Sequence, residues 1–265
     1  MTERLRKTAV ASLSVVLAGL LAGCGGSGGY LEIPIETPIA PKLDVSPFQR
    51  VYVAGFLAGA SEDVDANMET VRLLRSQLRN KNILPVVDAD TVALAERAME
   101  DVEPAAGAAA PAPAADTGQL PPVNDERELD QYSKVFSDTD YWKKVGEEHE
   151  QPLIVTGSVL FVPHARSGFV QREQEVYDSF GRRQVVPVRT YMERKGYILR
   201  PTFVFIDGRT GEQLYSESFR EEILYSSNQQ TPALSSYFEL MDRLLPTFLN
   251  TLSAQKIRGS RVLLK

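Results

Sequence analysis

The sequence predicts an α/β domain: a mixed β-sheet with a parallel βαβ part and antiparallel hairpins, and helices packed on its faces. Two observations predict this class. In the first half of the folded part, short apolar runs suited to buried strands alternate with helical patterns, as in parallel βαβ units. In the second half, strand-like segments follow one another across turn sequences, as in antiparallel hairpins.

The βαβ part begins with the apolar run 51–56, which predicts a buried strand. A helix is expected next, because apolar residues recur at steps of three and four: Val64, Met68, Val71, Leu74 and Leu78. Acidic residues at its start and basic residues at its end suit the helix dipole. Residues 83–87 predict a second strand, and Asp88 or Asp90 is expected to cap a helix that runs to about Glu103.

The second half opens with helical stretches from about Asp125 and from Asp138 to Glu148. The most apolar run of the chain, 153–161, is expected to be the central strand of the sheet. Two hairpins are predicted after it: 170–177 with 185–192 across a turn at 178–181, and 197–206 with 212–225 across a turn at 207–211. A last helix is expected to start with Thr231 as cap and Pro232 in its first turn, and to kink at Pro246.

The first 23 residues predict a cleavable signal peptide. Basic residues precede an apolar run at 8–21, which is shorter than the roughly 20 residues that span a bilayer. Leu21, Ala22 and Gly23 then precede Cys24, and this run resembles the lipobox of bacterial lipoproteins, whose cysteine receives a diacylglyceryl group. The alternative is an ordinary secretory signal with an incidental thiol. Because Cys24 is the sole cysteine and has no disulfide partner in an oxidising compartment, lipid attachment is the preferred interpretation.

The mature chain is expected to have three parts: a tether, a folded domain that contains an inserted loop, and a tail. Residues 24–47 predict a lipidated flexible tether rich in glycine and proline, although alternating Leu31, Ile33 and Ile35 could instead pair as a strand. Residues 48–253 predict the folded domain, with a disordered Ala/Pro insertion at 104–122, and 254–265 a solvated basic tail. Gly25 follows the acylated position, and the absence of aspartate there resembles bacterial lipoproteins that are sorted to the outer membrane. This resemblance implies attachment to the outer membrane, on its periplasmic face.

Composition excludes several functions. The net charge is −6, and removal of the basic leader takes it to about −8, which argues against a nucleic-acid binder. With one cysteine and two histidines, His149 and His164, no metal site or other cofactor is predicted.

No catalytic residue is predicted either. Ser158 lies in an apolar strand without a nucleophile-elbow motif, so a hydrogen bond to the main chain is the simpler role for its hydroxyl. Helix capping accounts for Asp138 and Asp140, which could otherwise be paired acids. A hairpin turn accounts for Asp207 and Glu212, which lack the regular spacing of a calcium loop.

The first predicted hairpin raises the question of membrane insertion. A membrane strand needs about 9–11 residues with an unbroken apolar face, whereas 171–175 is polar on both faces. A water-exposed hairpin is therefore predicted, and the region 162–200 is a candidate interaction arm.

Five segments together resemble one superfamily of periplasmic lipoproteins: the strand ending Gly55-Phe56, the helix with Leu73, Leu74 and Leu78, the strand 83–88, the strand 153–159 and the hairpin 203–212. It is the superfamily of the curli secretion protein CsgG, whose fold is similar to the TolB amino-terminal domain. Its members include LpoB, an activator of a peptidoglycan synthase, and PelC, a ring-forming component of exopolysaccharide export. The resemblance covers residues 48–253 and lacks the apolar membrane hairpins of the pore-forming members.

This resemblance implies a non-catalytic, lipid-anchored accessory or scaffold subunit in envelope assembly or export, with envelope protein partners and a possible homo-oligomeric state. An activator of a peptidoglycan synthase is the alternative of the same class. An enzyme acting on cell-wall or exported polymers, with Asp138 or Asp207 in its site, is an alternative of another class, and a carrier of a small ligand or lipid is a third.

Overall fold

The computed structural model describes residues 30–59, 63–100, 120–226, 229 and 231–264. They form two compact units. The larger unit, within 41–253, is the predicted α/β domain with a mixed sheet, and the smaller one pairs 30–39 with the carboxyl-terminal residues.

The sheet of the larger unit has five strands: β2 Val51–Ala58, β3 Leu153–Tyr177, β4 Arg183–Asp207, β5 Gln213–Ser218 and β6 Glu221–Ser226. Their order is β2-β3-β4-β5, and β6 also pairs with β4. β2 and β3 run parallel, and the other pairs run antiparallel. The apolar run at 153–161 thus lies between two neighbouring strands, which confirms its predicted central place.

The last two strands lie along one edge of β4. β5 pairs with 202–206 and β6 with 194–199, so together they form one interrupted strand antiparallel to β4. The single partner predicted over 212–225 is therefore split, at Phe219 and Arg220. The turn predicted at 207–211 is confirmed, and Gly211 has a φ of 78° there, which favours glycine.

Helices cover both faces of this sheet. Their bounds are α1 Ala66–Lys81, α2 Leu94–Glu100, α3 Glu126–Asp130, α4 Thr139–Glu148 and α5 Ala233–Leu252, with a 3₁₀ helix at Ser133–Ser137. Side chains of α1 and α5, such as Leu74 and Phe248, form one core cluster with Val155 and Phe205 of the sheet. On the other face, Trp142 and other residues of α2, α3 and α4 pack against Tyr52, Ile154 and Ile206. None of the helices that the structure describes is long and apolar enough to cross a membrane.

Several strand and helix boundaries in the structure differ from those that the sequence predicts. The strand predicted at 83–87 is reduced to one parallel bridge between Val86 and Val51. The helix expected from Asp88 or Asp90 to Glu103 begins only at Leu94, because Tyr52 and Arg75 take up the carbonyls of Asp90 and Ala89 in a non-helical segment. α5 begins at Ala233, with Pro232 rather than Thr231 at the N-cap, and continues through Pro246.

The smaller unit is an antiparallel ribbon of β1 Tyr30–Ile39 and β7 Gln255–Leu264. The sequence predicts a flexible tether over the first of these segments and a solvated tail over the second. The structure agrees with the alternative interpretation, in which the alternating residues Leu31, Ile33 and Ile35 belong to a strand. Ten consecutive residue pairs give each segment a hydrogen-bonding partner that neither has alone.

The insertion predicted at 104–122 lies mostly outside the described residues, but its last three residues do not. Leu120 is fully buried in the cluster around Trp142 and forms a parallel bridge with Gly59. The folded part therefore resumes at or before Leu120, because an aliphatic side chain gains about 2 kcal/mol from such burial.

Candidate functional site

The strands β3 and β4 continue far beyond the rest of the sheet. β2 accompanies β3 only to Val159, and β6 accompanies β4 only from Leu199 back to Arg194. From the pair Ser167–Glu193 to the pair Tyr177–Arg183, the two strands pair only with each other among the described residues. At about 3.4 Å per residue this stretch is about 35 Å long. We call residues 164–195 the hairpin arm.

One face of the arm, which we call the basic face, combines arginine with aliphatic side chains. Because directly opposed residues share a face, the register places Arg166, Arg172 and Arg194 on it. Half-buried aliphatic side chains lie between them: Val170, Val186, Val188 and Met192. The basic face carries no carboxylate between 164 and 196, and its three arginines form no ion pair with any residue that the structure describes.

The opposite face is aromatic and balanced in charge. Phe169 and Tyr191 face each other across the strands with ring centroids 5.4 Å apart at 70°, and the Arg189 guanidinium lies 5.9 Å from the Phe169 ring centroid. Three basic and three acidic residues share this face. The net charge of +3 on the arm, seven basic against four acidic residues, therefore lies on the basic face, while the whole chain carries −6.

The turn of the arm is held by one carboxylate. Asp178 accepts hydrogen bonds from the backbone N–H groups of Arg182 and Phe180 and from the Arg182 side chain, each at 2.9 Å. The Arg182 backbone bond is the main reason that the pKa of Asp178 is lowered from its ordinary value. Phe180 lies at the tip and is 82% exposed. This confirms the turn predicted at 178–181.

An open groove of about 430 Å³ lies at the base of the arm. Its lining residues include His164, Lys195 and Tyr197 of the two long strands, and Tyr225 and Thr231. The His164 Nε2 atom is 3.5 Å from the Glu222 carboxylate. The groove is therefore open to solvent, and its lining combines polar and apolar groups.

The carboxylates considered as catalytic candidates have structural partners. Asp138 caps α4 by accepting a bond from the Tyr141 N–H at 3.0 Å, and its other oxygen accepts one from Arg97 at 2.7 Å. The Arg97 bond is the main reason that the pKa of Asp138 is lowered. Asp207 accepts bonds from the Arg209 backbone, Nε and Nη2 at 2.8, 3.0 and 2.7 Å, and the pKa of Asp207 is lowered mainly by the Arg209 side chain. Both geometries stabilise the ionised form and suit capping and turn formation.

The remaining candidates are dispersed. Ser158 is half-buried in β3, and His149 ends α4, where its ring lies 4.1 Å from the ring centroid of Tyr52. Within the described residues, no group of three or more His, Cys, Asp or Glu side chains is placed to hold a metal. The lipobox residues Leu21, Ala22 and Gly23 and the attachment residue Cys24 lie outside the described residues.

The sequence predicts the arm's strands and turn but not its basic face. Its pattern predicts separate strands at 153–161 and 170–177, whereas β3 is continuous through both. The register that follows from this continuity is what aligns Arg166 with Arg194. The turn at Asp178–Gly181 is the signal that could have revealed this alignment. Residues equally distant from the turn lie opposite each other, and every second residue along a strand lies on the same face.

The fold and the arm define a mixed α/β domain that carries a long antiparallel hairpin. Neither family models nor curated proteins match the sequence. Two solved structures are similar in part. Lipoprotein GNA1162 from Neisseria meningitidis has 11% identity and a TM-score of 0.33, over 76% of this chain and 98% of that one. A neuraminyllactose-binding hemagglutinin homologue from Helicobacter pylori has 9% identity and a TM-score of 0.32, over 80% and 88%. At these TM-scores the likeness assigns neither a family nor a function.

Proposed function

We propose that this chain is a lipid-anchored bacterial lipoprotein whose hairpin arm binds a partner protein with an acidic surface. In this proposal it serves as a non-catalytic accessory or scaffold subunit in envelope assembly or export, at the periplasmic face of the outer membrane. The leader and Cys24 supply the anchor, and the larger unit supplies the arm.

One observation carries the proposal: beyond the pair Ser167–Glu193 the arm leaves the sheet, and among the described residues its two strands pair only with each other there. An isolated two-stranded hairpin is at best marginally stable in water, because only one pair of strands shares the cost of ordering. A protein that covers one face would add the missing packing. The arm therefore has the form of a segment that is completed by binding.

The basic face defines the chemistry of that partner. Half-buried aliphatic side chains beside unpaired guanidinium groups suit a surface that is apolar at its centre and acidic around it. Guanidinium groups pair with carboxylates through two parallel hydrogen bonds, which fixes orientation as well as affinity. An acidic protein surface meets both requirements.

A non-catalytic role is supported by the partners of the candidate acids. A general acid or base needs a carboxyl pKa near the working pH, and such values arise from burial or from a second carboxylate. The pKa values of Asp138 and Asp207 are instead lowered by bonds from arginine. The enzyme alternative would therefore have to use other residues.

Site-specific photo-cross-linking in living cells tests the proposal. A photoreactive residue replaces Thr190, which is exposed on the basic face, and in a separate strain it replaces Asp242, which is exposed on α5. We expect an adduct with another envelope protein from position 190 only. Equal adducts from both positions, or none from 190, would overturn the role of the arm.

The identity of the adduct separates the finer alternatives. A peptidoglycan synthase in the adduct would support the activator, and an export component would support the export scaffold. The anchor is tested separately, by the intact mass of the purified protein and by the fractionation of Cys24→Ser. An unmodified mass would overturn the lipoprotein assignment and leave the test of the arm intact.

A further inference from the structure

The ribbon of β1 and β7, which we call the terminal ribbon, has one face that carries aliphatic side chains and no acid. The register places Ile33 opposite Arg261, Ile35 opposite Gly259 and Thr37 opposite Ile257. Ile33, Ile35 and Ile257 are 38%, 42% and 56% exposed, and Ile39 is exposed on the same face. A Cβ added to Gly259 would meet no atom within 4 Å, so this face is open at its centre. We call it the isoleucine face.

The opposite face carries the charged residues of the ribbon apart from Arg261, together with Pro34, Pro38 and Val262. Glu36 accepts a hydrogen bond from Arg258 at 3.0 Å and another from Lys256 at 3.4 Å. The terminal ribbon is therefore amphipathic: ion pairs satisfy one face, and the isoleucines of the other have no apolar cover within the ribbon.

The edge of β1 is poorly suited to a further strand. Pro34 and Pro38 are four residues apart, so their nitrogen atoms point to the same side of the strand, and neither carries an N–H group. Proline is tolerated where that side faces away from the pairing partner. Addition of another chain at this edge would lack two donors, which disfavours strand pairing there.

The position of the terminal ribbon along the chain indicates what covers this face. Under the proposed function, on which this inference rests, Cys24 is held in the membrane, and Tyr30 begins β1 only six residues later. Six residues span at most about 20 Å, so β1 begins close to the lipid headgroups. Arg261 can extend its charged end to phosphate groups while its aliphatic stem stays beside Ile33.

We propose that the isoleucine face of the terminal ribbon lies on the lipid surface and forms a second membrane contact beside the acyl anchor. The ribbon carries three basic side chains and two acidic ones, and this net positive charge favours an anionic lipid over a neutral one. Apolar side chains on one face and basic residues near them are the features of a segment that rests in the membrane interface.

The test uses the processed chain without its lipid, from residue 24 with Cys24→Ser, and vesicles of equimolar phosphatidylethanolamine and phosphatidylglycerol. We expect this protein to float with the vesicles, and the triple variant Ile33→Ser, Ile35→Ser, Ile257→Ser to bind roughly tenfold or more weakly, since each substitution removes apolar area from the contact. Leu214→Ser, which changes an aliphatic side chain of similar exposure in β5, is expected to bind like the parent.

A second measurement, the quenching of tryptophan fluorescence by lipid, does not require the triple variant to fold. Trp142 is the sole tryptophan and is fully buried, so it contributes a constant background. Ile35→Trp should be quenched by lipids brominated on their acyl chains, and Leu214→Trp should not.

Three results would overturn the inference: no flotation of the unlipidated chain, equal flotation of the triple variant, or a dimer in lipid-free solution that the triple substitution abolishes. The last would assign the isoleucine face to a second copy of the chain. The failure of acylation is a separate result, because it is read from the mass of the full chain in cells.

Discussion

Arg166 lies directly opposite Arg194 on the two strands of the hairpin arm, on a face without a carboxylate. Like charges at opposed positions of an antiparallel pair destabilise it, by a few tenths of a kcal/mol to about 1 kcal/mol. The pair therefore makes the free arm less stable than it could be, which is understandable if a partner's carboxylates neutralise it.

Arg166→Glu separates stability from binding. It places opposite charges across the strands, so we expect unchanged or slightly higher thermal stability together with a loss of the cross-linked adduct from position 190. Lys143→Glu makes the same charge change on the exposed surface of α4 and should retain the adduct. A full yield of adduct from Arg166→Glu would mean that the basic face does not bind an acidic partner.

Gly157→Ala tests the close approach of the central strands. Gly157 has a φ of 144°, and a Cβ there would stand 1.8 Å from the Thr202 carbonyl oxygen, so both backbone strain and a clash oppose a side chain. We expect a loss of at least about 2 kcal/mol in the free energy of unfolding. Gly168→Ala is the control in the same strand, because nothing lies within 4 Å of its added Cβ. Urea denaturation of the two variants measures the difference, and equal midpoints would contradict it.

Asp138→Ala should destabilise the larger unit by about 1–2 kcal/mol at neutral pH, because it removes the cap of α4 and the ion pair with Arg97. The pKa of Asp138 is lowered in the folded state, so its stabilisation is complete above the ordinary carboxyl pKa and is lost as the pH falls through the folded value. The gap between wild type and variant should therefore narrow in acid. Asp140→Ala, a change in the first turn of α4, should cost only a few tenths of a kcal/mol at neutral pH.

Elements with a strong apolar pattern were predicted well from sequence. Leu74 and Leu78 fall on the buried face of α1, and the run at 153–161 is central, because burial dominates both. The segment 83–87 has a comparable pattern but forms only one bridge, at Val86. Its other residues pack against the core from outside the sheet, and periodicity in a short apolar run cannot distinguish the two outcomes.

The site was less predictable because it depends on pairing between distant residues. The sequence correctly predicts capping for Asp138 and turn formation for Asp207, since the backbone N–H groups that bond to them lie within three residues. The basic face can be recognised only when the pairing of Arg166 with Arg194 is known. The terminal ribbon likewise depends on the pairing of β1 with β7, which lies more than two hundred residues later in the chain. Composition favours a linker for 30–39, and only the long-range partner makes it a strand.

Leu120→Ala tests where the folded part resumes after the Ala/Pro run. If 104–122 were disordered throughout, the substitution would leave the free energy of unfolding unchanged. The structure places Leu120 fully buried beside Trp142 and its neighbours, so we expect a loss of about 2–5 kcal/mol, from lost burial and the cavity left behind. Leu214→Ala, at a side chain that is 41% exposed in β5, should cost less than about 1 kcal/mol. Because Trp142 is the sole tryptophan and packs in the same cluster, its fluorescence during urea denaturation reports on both variants.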